Sequence, residues 1–160
     1  MSNLTNVDLQ YLAELLQAAH QEKGGQYPNP VVGAMIVVND KVISTGFHQL
    51  CGSDHAEVIA LKSAGKQAKG ATLYITLEPC THYGNTPPCV NAIVAAEVAK
   101  VVWAVNDPNP TVKGKAAKIL LSAGIQVIEN ASPNLGLELI KEFAMVHQQQ
   151  RPYVIAKVAL

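Results

Sequence analysis

The most informative part of the sequence is the motif His55-Ala56-Glu57. It is followed downstream by Pro79-Cys80 and then by Cys89. One imidazole and two thiolates are ligands that zinc prefers, and a site with three protein ligands keeps its fourth tetrahedral position open for water. An open position is typical of a catalytic zinc rather than a structural one. Glu57 follows His55 by two residues, which puts a carboxylate near the metal and leaves it free to carry protons. The sequence therefore predicts a zinc centre of His55, Cys80 and Cys89, with Glu57 as the catalytic group.

This combination suits the hydrolytic removal of an amino group from a heterocyclic base. Zinc activates water near neutral pH, and a carboxylate can deliver protons to the ring nitrogen and to the leaving ammonia. H-x-E followed by P-C-x-x-C is the signature of zinc nucleobase deaminases. The chain matches H-x-E and the Pro-Cys pair, but Cys89 lies nine positions after Cys80 rather than three.

The longer cysteine loop resembles that of the deaminase family of riboflavin biosynthesis. It reads Pro79-Cys80-Thr81-His82-Tyr83-Gly84-Asn85-Thr86-Pro87-Pro88-Cys89. Other motifs of that family occur in the same order, namely Pro28-Asn29-Pro30 with Val32-Gly33, Gly46-Phe47-His48, and Asp107-Pro108-Asn109-Pro110. The resemblance covers nearly the whole chain.

The resemblance implies zinc-dependent deamination of the diamino-ribosylamino-pyrimidinone 5'-phosphate of riboflavin synthesis to its uracil counterpart. It also implies a set of substrate contacts: Asn29, His48, Ala56, His82, Asn85, Asp107 and Asn109. Position 85 departs from the family, which usually has lysine or arginine there to meet the substrate phosphate. Either phosphate binding is weaker here, or Lys113 or Lys115 compensates, or the substrate lacks the phosphate.

Two other functions stay open at this point. One is deamination of another base, such as free cytosine, a nucleoside or a base in nucleic acid. The other is a structural zinc module, for which His82 could supply the fourth ligand that such sites usually have. A redox pair of Cys80 and Cys89 fits less well, because the two lack C-x-x-C spacing.

The composition limits the classes of partner that the chain is expected to bind. The 12 basic and 12 acidic residues balance, so no overall field attracts nucleic acid or a membrane surface. No apolar run approaches the roughly 20 residues that span a bilayer. With no signal-peptide pattern at the N-terminus and two of the three cysteines assigned to metal, we expect a reducing cytoplasm. The sequence leaves a homo-oligomer open.

Hydrophobic periodicity predicts alternating strands and helices, hence an α/β sandwich. The resemblance sharpens this to a three-layer α/β/α sandwich with a mixed five-stranded sheet, the cytidine-deaminase-like fold. The predicted helices are 8–22, one beginning at Ser53 or Asp54, 88–96, 113–123 and 135–149. The predicted strands are 31–38, 41–47, 71–77, 100–105 and 125–128, with a hairpin turn at Asn39-Asp40 and a polar connection at 65–70.

The last ten residues suggest a domain boundary. Residues 1–150 are predicted to form the deaminase domain. Residues 151–160 resemble the opening strand of the reductase domain that follows it in two-domain members of the family, cut short. A reductase domain or a separate reductase would then be the partner for the next step.

Overall fold

The structure, a computed structural model, describes residues 3–109, 112–154 and 156. Its sheet has five strands in the order β2-β1-β3-β4-β5. Strand β1 runs antiparallel to both neighbours, whereas β3, β4 and β5 are parallel. This confirms the predicted mixed sheet. The strands are β1 Gly33–Val38, β2 Lys41–Phe47, β3 Thr72–Leu77, β4 Lys100–Val105 and β5 Gln126–Ile128.

The hairpin between β1 and β2 forms where the sequence predicts it. Asn39 and Asp40 have φ values of 48° and 57°. A two-residue turn of the I′ type needs left-handed backbone at both positions, and Asn and Asp tolerate that conformation well. The turn fixes the register of β2, whose C-terminal end leads to His48.

Helices cover both faces of the sheet. The α-helices are α1 Asn6–Gln21, α2 Ala56–Ala64, α3 Cys89–Ala95, α4 Lys115–Ser122, α5 Pro133–Leu139 and α6 Lys141–Gln149. Apolar residues of α2, α3 and α4 share one buried cluster with Ile36 and Ile75 of the sheet. Apolar residues of α1 and α5, with Ile140, share the other with Met35 and Tyr74. Neighbouring strand residues thus point to opposite clusters, and the three-layer sandwich is confirmed.

The prediction of one helix over 135–149 is wrong. Two helices, α5 and α6, meet at Ile140, whose φ of −107° and ψ of 21° depart from helical values. The Ile140 side chain is only 1% exposed and belongs to the core. Apolar spacing continues across the junction, so the sequence pattern gives no sign of the break.

Boundaries near the metal site also differ from prediction. Helix α2 has His55 as its N-cap, without a side-chain capping bond, rather than Ser53 or Asp54. Those two side chains are engaged elsewhere: Ser53 Oγ donates to the Leu50 carbonyl, and the Asp54 carboxylate pairs with Lys62.

Smaller corrections concern three connections. Pro88 is the N-cap of α3 rather than its first residue. The predicted polar connection contains a short 3-10 helix, Gly65–Ala68. Helix α4 begins at Lys115, two residues later than predicted, after Gly114 in the left-handed region.

The C-terminal stretch is described only in part. Residues 151–154 and 156 form neither a helix nor a strand, and the rest of the predicted reductase strand lies outside the described residues. Within the described part of the chain, none of the helices is long and apolar enough to cross a membrane.

Candidate metal centre and active site

Three segments converge at one edge of the sheet. His55 immediately precedes α2, Cys80 follows the end of β3, and Cys89 opens α3. Gly46 of β2 lets α2 lie close to the sheet, because a Cβ at this position would be 2.7 Å from the Ala60 nitrogen and would also collide with the Ala56 carbonyl. Rigid elements therefore hold all three side chains, and this suits a site that needs fixed geometry.

The three proposed ligands come together. Nδ1 of His55 lies 3.1 Å from Sγ of Cys89 and 3.6 Å from Sγ of Cys80. The three ligand atoms all lie within 4.8 Å of one another. Both thiols are free of disulfide bonds. One nitrogen and two sulfurs at this separation fit a zinc ion held by three protein ligands.

The thiols of Cys80 and Cys89 are hydrogen-bonded to each other. Hydrogen bonds from the Cys89 thiol and from the Cys89 backbone N–H lower the pKa of Cys80 to about 4. The pKa of Cys89 is raised, chiefly because its thiol donates to Cys80. A metal that replaces the hydrogen-bonded proton would meet two thiolates, the form in which cysteine binds zinc.

Thr86 orients the imidazole, a role that sequence reasoning missed. Its Oγ1 lies 3.4 Å from Nε2 of His55, so Nε2–H can donate to it while Nδ1 faces the sulfurs. Metal-binding histidines usually donate their second N–H in this way, which fixes the tautomer. Thr86 belongs to the quoted cysteine loop, but nothing in its spacing indicates this contact.

Glu57 is buried beside the trio. It is only 3% exposed, yet it lines the same cavity as His55 and Cys80. Burial raises the pKa of its carboxyl, and the negative charge of Cys80 acts in the same direction. Buried carboxyls that adjoin a metal trio within a cleft are strong candidates for proton transfer.

The cavity has a volume of about 390 Å³, within the ~300–1,000 Å³ typical of small-molecule sites. Six of the seven predicted substrate contacts line it: Asn29, His48, His82, Asn85, Asp107 and Asn109. Ala56 is the exception, because its fully buried side chain packs in the core under α2 and is not part of the wall. Its contact with substrate stays a prediction, one that only its backbone could fulfil.

His48 is fixed by hydrogen bonds on both sides of its ring. Nδ1 lies 3.2 Å from the Asp54 carbonyl, and Nε2 lies 3.0 Å from Nδ2 of Asn29. Because the amide nitrogen of Asn29 can only donate, Nε2 accepts and Nδ1 carries the proton. Burial lowers the pKa of His48, in keeping with a neutral ring. The side chain thus ties the proline-bracketed loop at Asn29 to the approach to α2.

Glu78 braces the far wall and was not singled out by sequence reasoning. Its carboxylate accepts from the Asp107 N–H at 3.1 Å and from the Gly114 N–H at 2.7 Å. The side chain is 3% exposed. One carboxylate beside Cys80 therefore holds the loop that carries Asp107 and the start of α4.

Neither proposed compensating lysine lies on the cavity wall. Lys113 and Lys115 are absent from its lining, and a compensating role for either of them stays a prediction. His147 and Phe143 of α6 line the cavity instead. His147 is exposed, as the sequence suggests, but its place on this wall was not foreseen because the break at Ile140 was not.

The ligand group also bears on the structural-zinc alternative. Among the described residues, the group able to hold a metal consists of His55, Cys80 and Cys89. His82 is exposed, lines the cavity and is not part of that group. The arrangement therefore favours a metal with an open position that faces the cavity.

Comparisons with known proteins agree with this geometry. The model of the cytidine and deoxycytidylate deaminase zinc-binding region matches residues 6–105. The riboflavin biosynthesis protein RibD of Aquifex aeolicus is 44% identical over 156 residues, covering 98% of this chain and 44% of the relative.

Two solved structures are also similar. A structure of Acinetobacter baumannii RibD superposes with a TM-score of 0.88 at 46% identity, covering 92% of this chain and 42% of that one. The crystal structure of a diaminohydroxyphosphoribosylaminopyrimidine deaminase/5-amino-6-(5-phosphoribosylamino)uracil reductase from Thermotoga maritima gives 0.85 at 36% identity, with 92% and 43% covered. The chain spans less than half the length of these relatives. By its family match and its His-Cys-Cys zinc site, the chain belongs to the cytidine and deoxycytidylate deaminase family.

Proposed function

We propose that this chain catalyses the zinc-dependent hydrolytic deamination of the diamino-ribosylamino-pyrimidinone 5'-phosphate of riboflavin synthesis. The observation that carries the proposal is the buried carboxyl of Glu57, which lines the same cavity as His55 and Cys80 of the metal trio. The similarity to proteins named for riboflavin biosynthesis supports the substrate class.

His55, Cys80 and Cys89 would hold zinc, which would act as a Lewis acid and activate water near neutral pH. Glu57 would take one proton from the attacking water and pass it to the ring nitrogen. It would then pass the second proton of that water to the amino group, which leaves as ammonia while the ring carbonyl forms. The role suits its position, because a proton donor must lie within hydrogen-bonding reach of the reacting atoms. Its burial at 3% exposure keeps bulk water from competing.

Polar side chains on the cavity wall suit a polar heterocycle. Asn29 and His48 hold each other in place on one side, and the Asp107 loop braced by Glu78 forms the other. Fixed partners of this kind bind a planar base without the entropy cost of ordering flexible side chains.

The relatives suggest which reaction comes next. The Thermotoga maritima protein is named for a deaminase and a uracil reductase, and it is more than twice as long as the part matched here. We infer that residues 1–150 form the deaminase unit and that a reductase, fused or separate, takes the product.

The test is ammonia release by the purified zinc-loaded protein. We expect turnover of the phosphorylated diamino-pyrimidinone, its loss on removal of zinc with a chelator, and its return when zinc is restored. Cytidine serves as the competing substrate. Turnover of cytidine but not of the pathway compound would favour the alternative deaminase function, and turnover that survives complete zinc removal would contradict the mechanism.

A further inference from the structure

The cavity carries an unusual charge pattern for a site that takes a phosphorylated substrate. It presents the carboxyls of Glu57, Glu78 and Asp107, whereas no lysine or arginine lines it within the described part of the chain. Phosphate binding normally relies on cationic or N–H donors, because charge-assisted hydrogen bonds are about twice as strong as neutral ones. Imidazoles are therefore the groups on this wall that could supply a positive charge.

Four histidines line the cavity, and two of them are already committed. Nδ1 of His55 faces the sulfur of Cys89, and its Nε2 faces the hydroxyl of Thr86. His48 is buried with both ring nitrogens hydrogen-bonded. The remaining pair, His82 and His147, are both exposed, so they lie where the cavity opens to solvent.

The His147 ring is held on the wall by packing. It lies against the Phe143 ring, with 4.3 Å between ring centroids, and Phe143 in turn packs on the core cluster of α1. The two residues are four apart, which places them on one face of α6. His147 also lies in the last turn of this helix, where the helix dipole favours a cation.

The Asp107 carboxylate is hydrogen-bonded within its own loop. Its carboxylate is 9% exposed and accepts from the Asn109 N–H at 2.8 Å, so it is directed into its own loop. Burial raises the pKa of Asp107, while His147 and His82 both act to lower it. Both imidazoles line the same cavity, although they come from different segments.

We propose that His147, together with the Asn85 amide, binds the substrate phosphate at the mouth of the cavity. This proposal rests on the proposed function, since it assigns the site for the phosphate of that substrate. An imidazolium offers two N–H donors, and the asparagine amide offers two more. The side chain from α6 would thus supply a cation that Asn85 cannot.

The first experiment compares kcat/KM for the phosphorylated substrate and for its dephosphorylated riboside. His147→Ala should lower kcat/KM for the phosphorylated compound roughly tenfold or more, the size expected for a lost hydrogen bond to a charged group. The loss should appear mainly in KM, as for uniform binding, and the riboside should be unaffected. Adding Asn85→Lys to His147→Ala should restore much of the loss.

His20→Ala is the matched control, because His20 is also an exposed histidine in the last turn of a helix, but one that is not on the cavity wall. It should leave both substrates unchanged. If His147→Ala lowered kcat/KM equally for both substrates, the role of His147 would be structural. If it lowered kcat/KM for neither, His147 would have no role in binding. Either result overturns the proposal.

A second measurement does not depend on turnover. Ribose 5-phosphate, added to the zinc-loaded protein, should shift the imidazole NMR signals of His147 and leave those of His20 in place. If neither substrate is deaminated, the proposed function fails while this titration still decides the phosphate site. Unshifted His147 signals at saturating ribose 5-phosphate would overturn the proposal, whatever the turnover.

Discussion

Replacing Gly46 by alanine should disturb the active site from outside the cavity. An added methyl would be 2.7 Å from the Ala60 nitrogen and 2.9 Å from Cβ of Ile59. Ordinary contact begins at 3.4 Å and the Ala56 carbonyl is closer still, so the backbone of α2 must retreat by at least about 0.7 Å. The obstacles include backbone atoms of a packed helix, which cannot rotate away as a side-chain tip could.

Gly46→Ala should lower both the stability and the catalytic rate. Overpacking of this kind typically destabilises a protein by about 1–3 kcal/mol. For a chain of this size that corresponds to a fall in Tm of roughly 2–12 °C. Because α2 carries Glu57 and begins at His55, a shift of this size should also misplace both groups. A misplacement of about 1 Å can cost about 10²-fold in rate, so kcat should fall by roughly tenfold or more.

The assay combines thermal unfolding, zinc content and turnover. Gly24→Ala is the control, because a Cβ at Gly24 would meet nothing within 4 Å. Gly24→Ala should keep wild-type activity and stability. If Gly46→Ala behaved like Gly24→Ala in both assays, the close approach of α2 to β2 would not be what positions the site.

Three single substitutions test proton transfer, phosphate binding and a buried ion pair. Glu57→Gln is nearly isosteric but cannot shuttle a proton, so it should keep one zinc per chain while kcat falls at least ~10²-fold; activity within a few-fold of wild type would exclude it from proton transfer. Asn85→Lys should lower KM for the phosphorylated substrate about tenfold and leave kcat nearly unchanged; a wild-type preference for the dephosphorylated compound would mean that the family's substrate does not carry over. Burial opposes ionisation of Asp8, but hydrogen bonds from Lys100, Thr5 and Tyr74 outweigh it and hold the pKa of Asp8 below its ordinary 3.8. The ionised Asp8 therefore stabilises the folded protein above pH 3.8, and this stabilisation is lost as the pH falls through the lower pKa of the folded state. Urea unfolding should show that the difference in free energy of unfolding between wild type and Asp8→Asn becomes smaller only in acid.

The sequence was sufficient for the metal trio because the evidence lay in spacing and residue type. A histidine and two cysteines on the edges of predicted elements could be assigned without coordinates, and their sulfur and nitrogen atoms meet as expected. The sheet was equally accessible, since β2 and β4 have the predicted bounds and the Asn39-Asp40 turn has the predicted geometry.

The features that the sequence did not reveal depend on tertiary contacts. Glu78 accepts hydrogen bonds from backbone groups far along the chain, and no local pattern encodes such partners. The break between α5 and α6 falls at Ile140, a buried core residue, and the apolar periodicity continues across it. Because His147 reaches the cavity from beyond that break, its position was hidden as well.

The most direct test of the zinc-deaminase account is paired measurement of zinc content and ammonia release in Cys80→Ser and Cys51→Ser. Cys51 is an exposed free cysteine that is not part of the metal trio, so it controls for loss of a thiol elsewhere. We expect Cys80→Ser to lose zinc and activity together, and Cys51→Ser to keep one zinc per chain and wild-type turnover of the phosphorylated diamino-pyrimidinone. Full zinc and full activity in Cys80→Ser, or their joint loss in Cys51→Ser, would contradict the account.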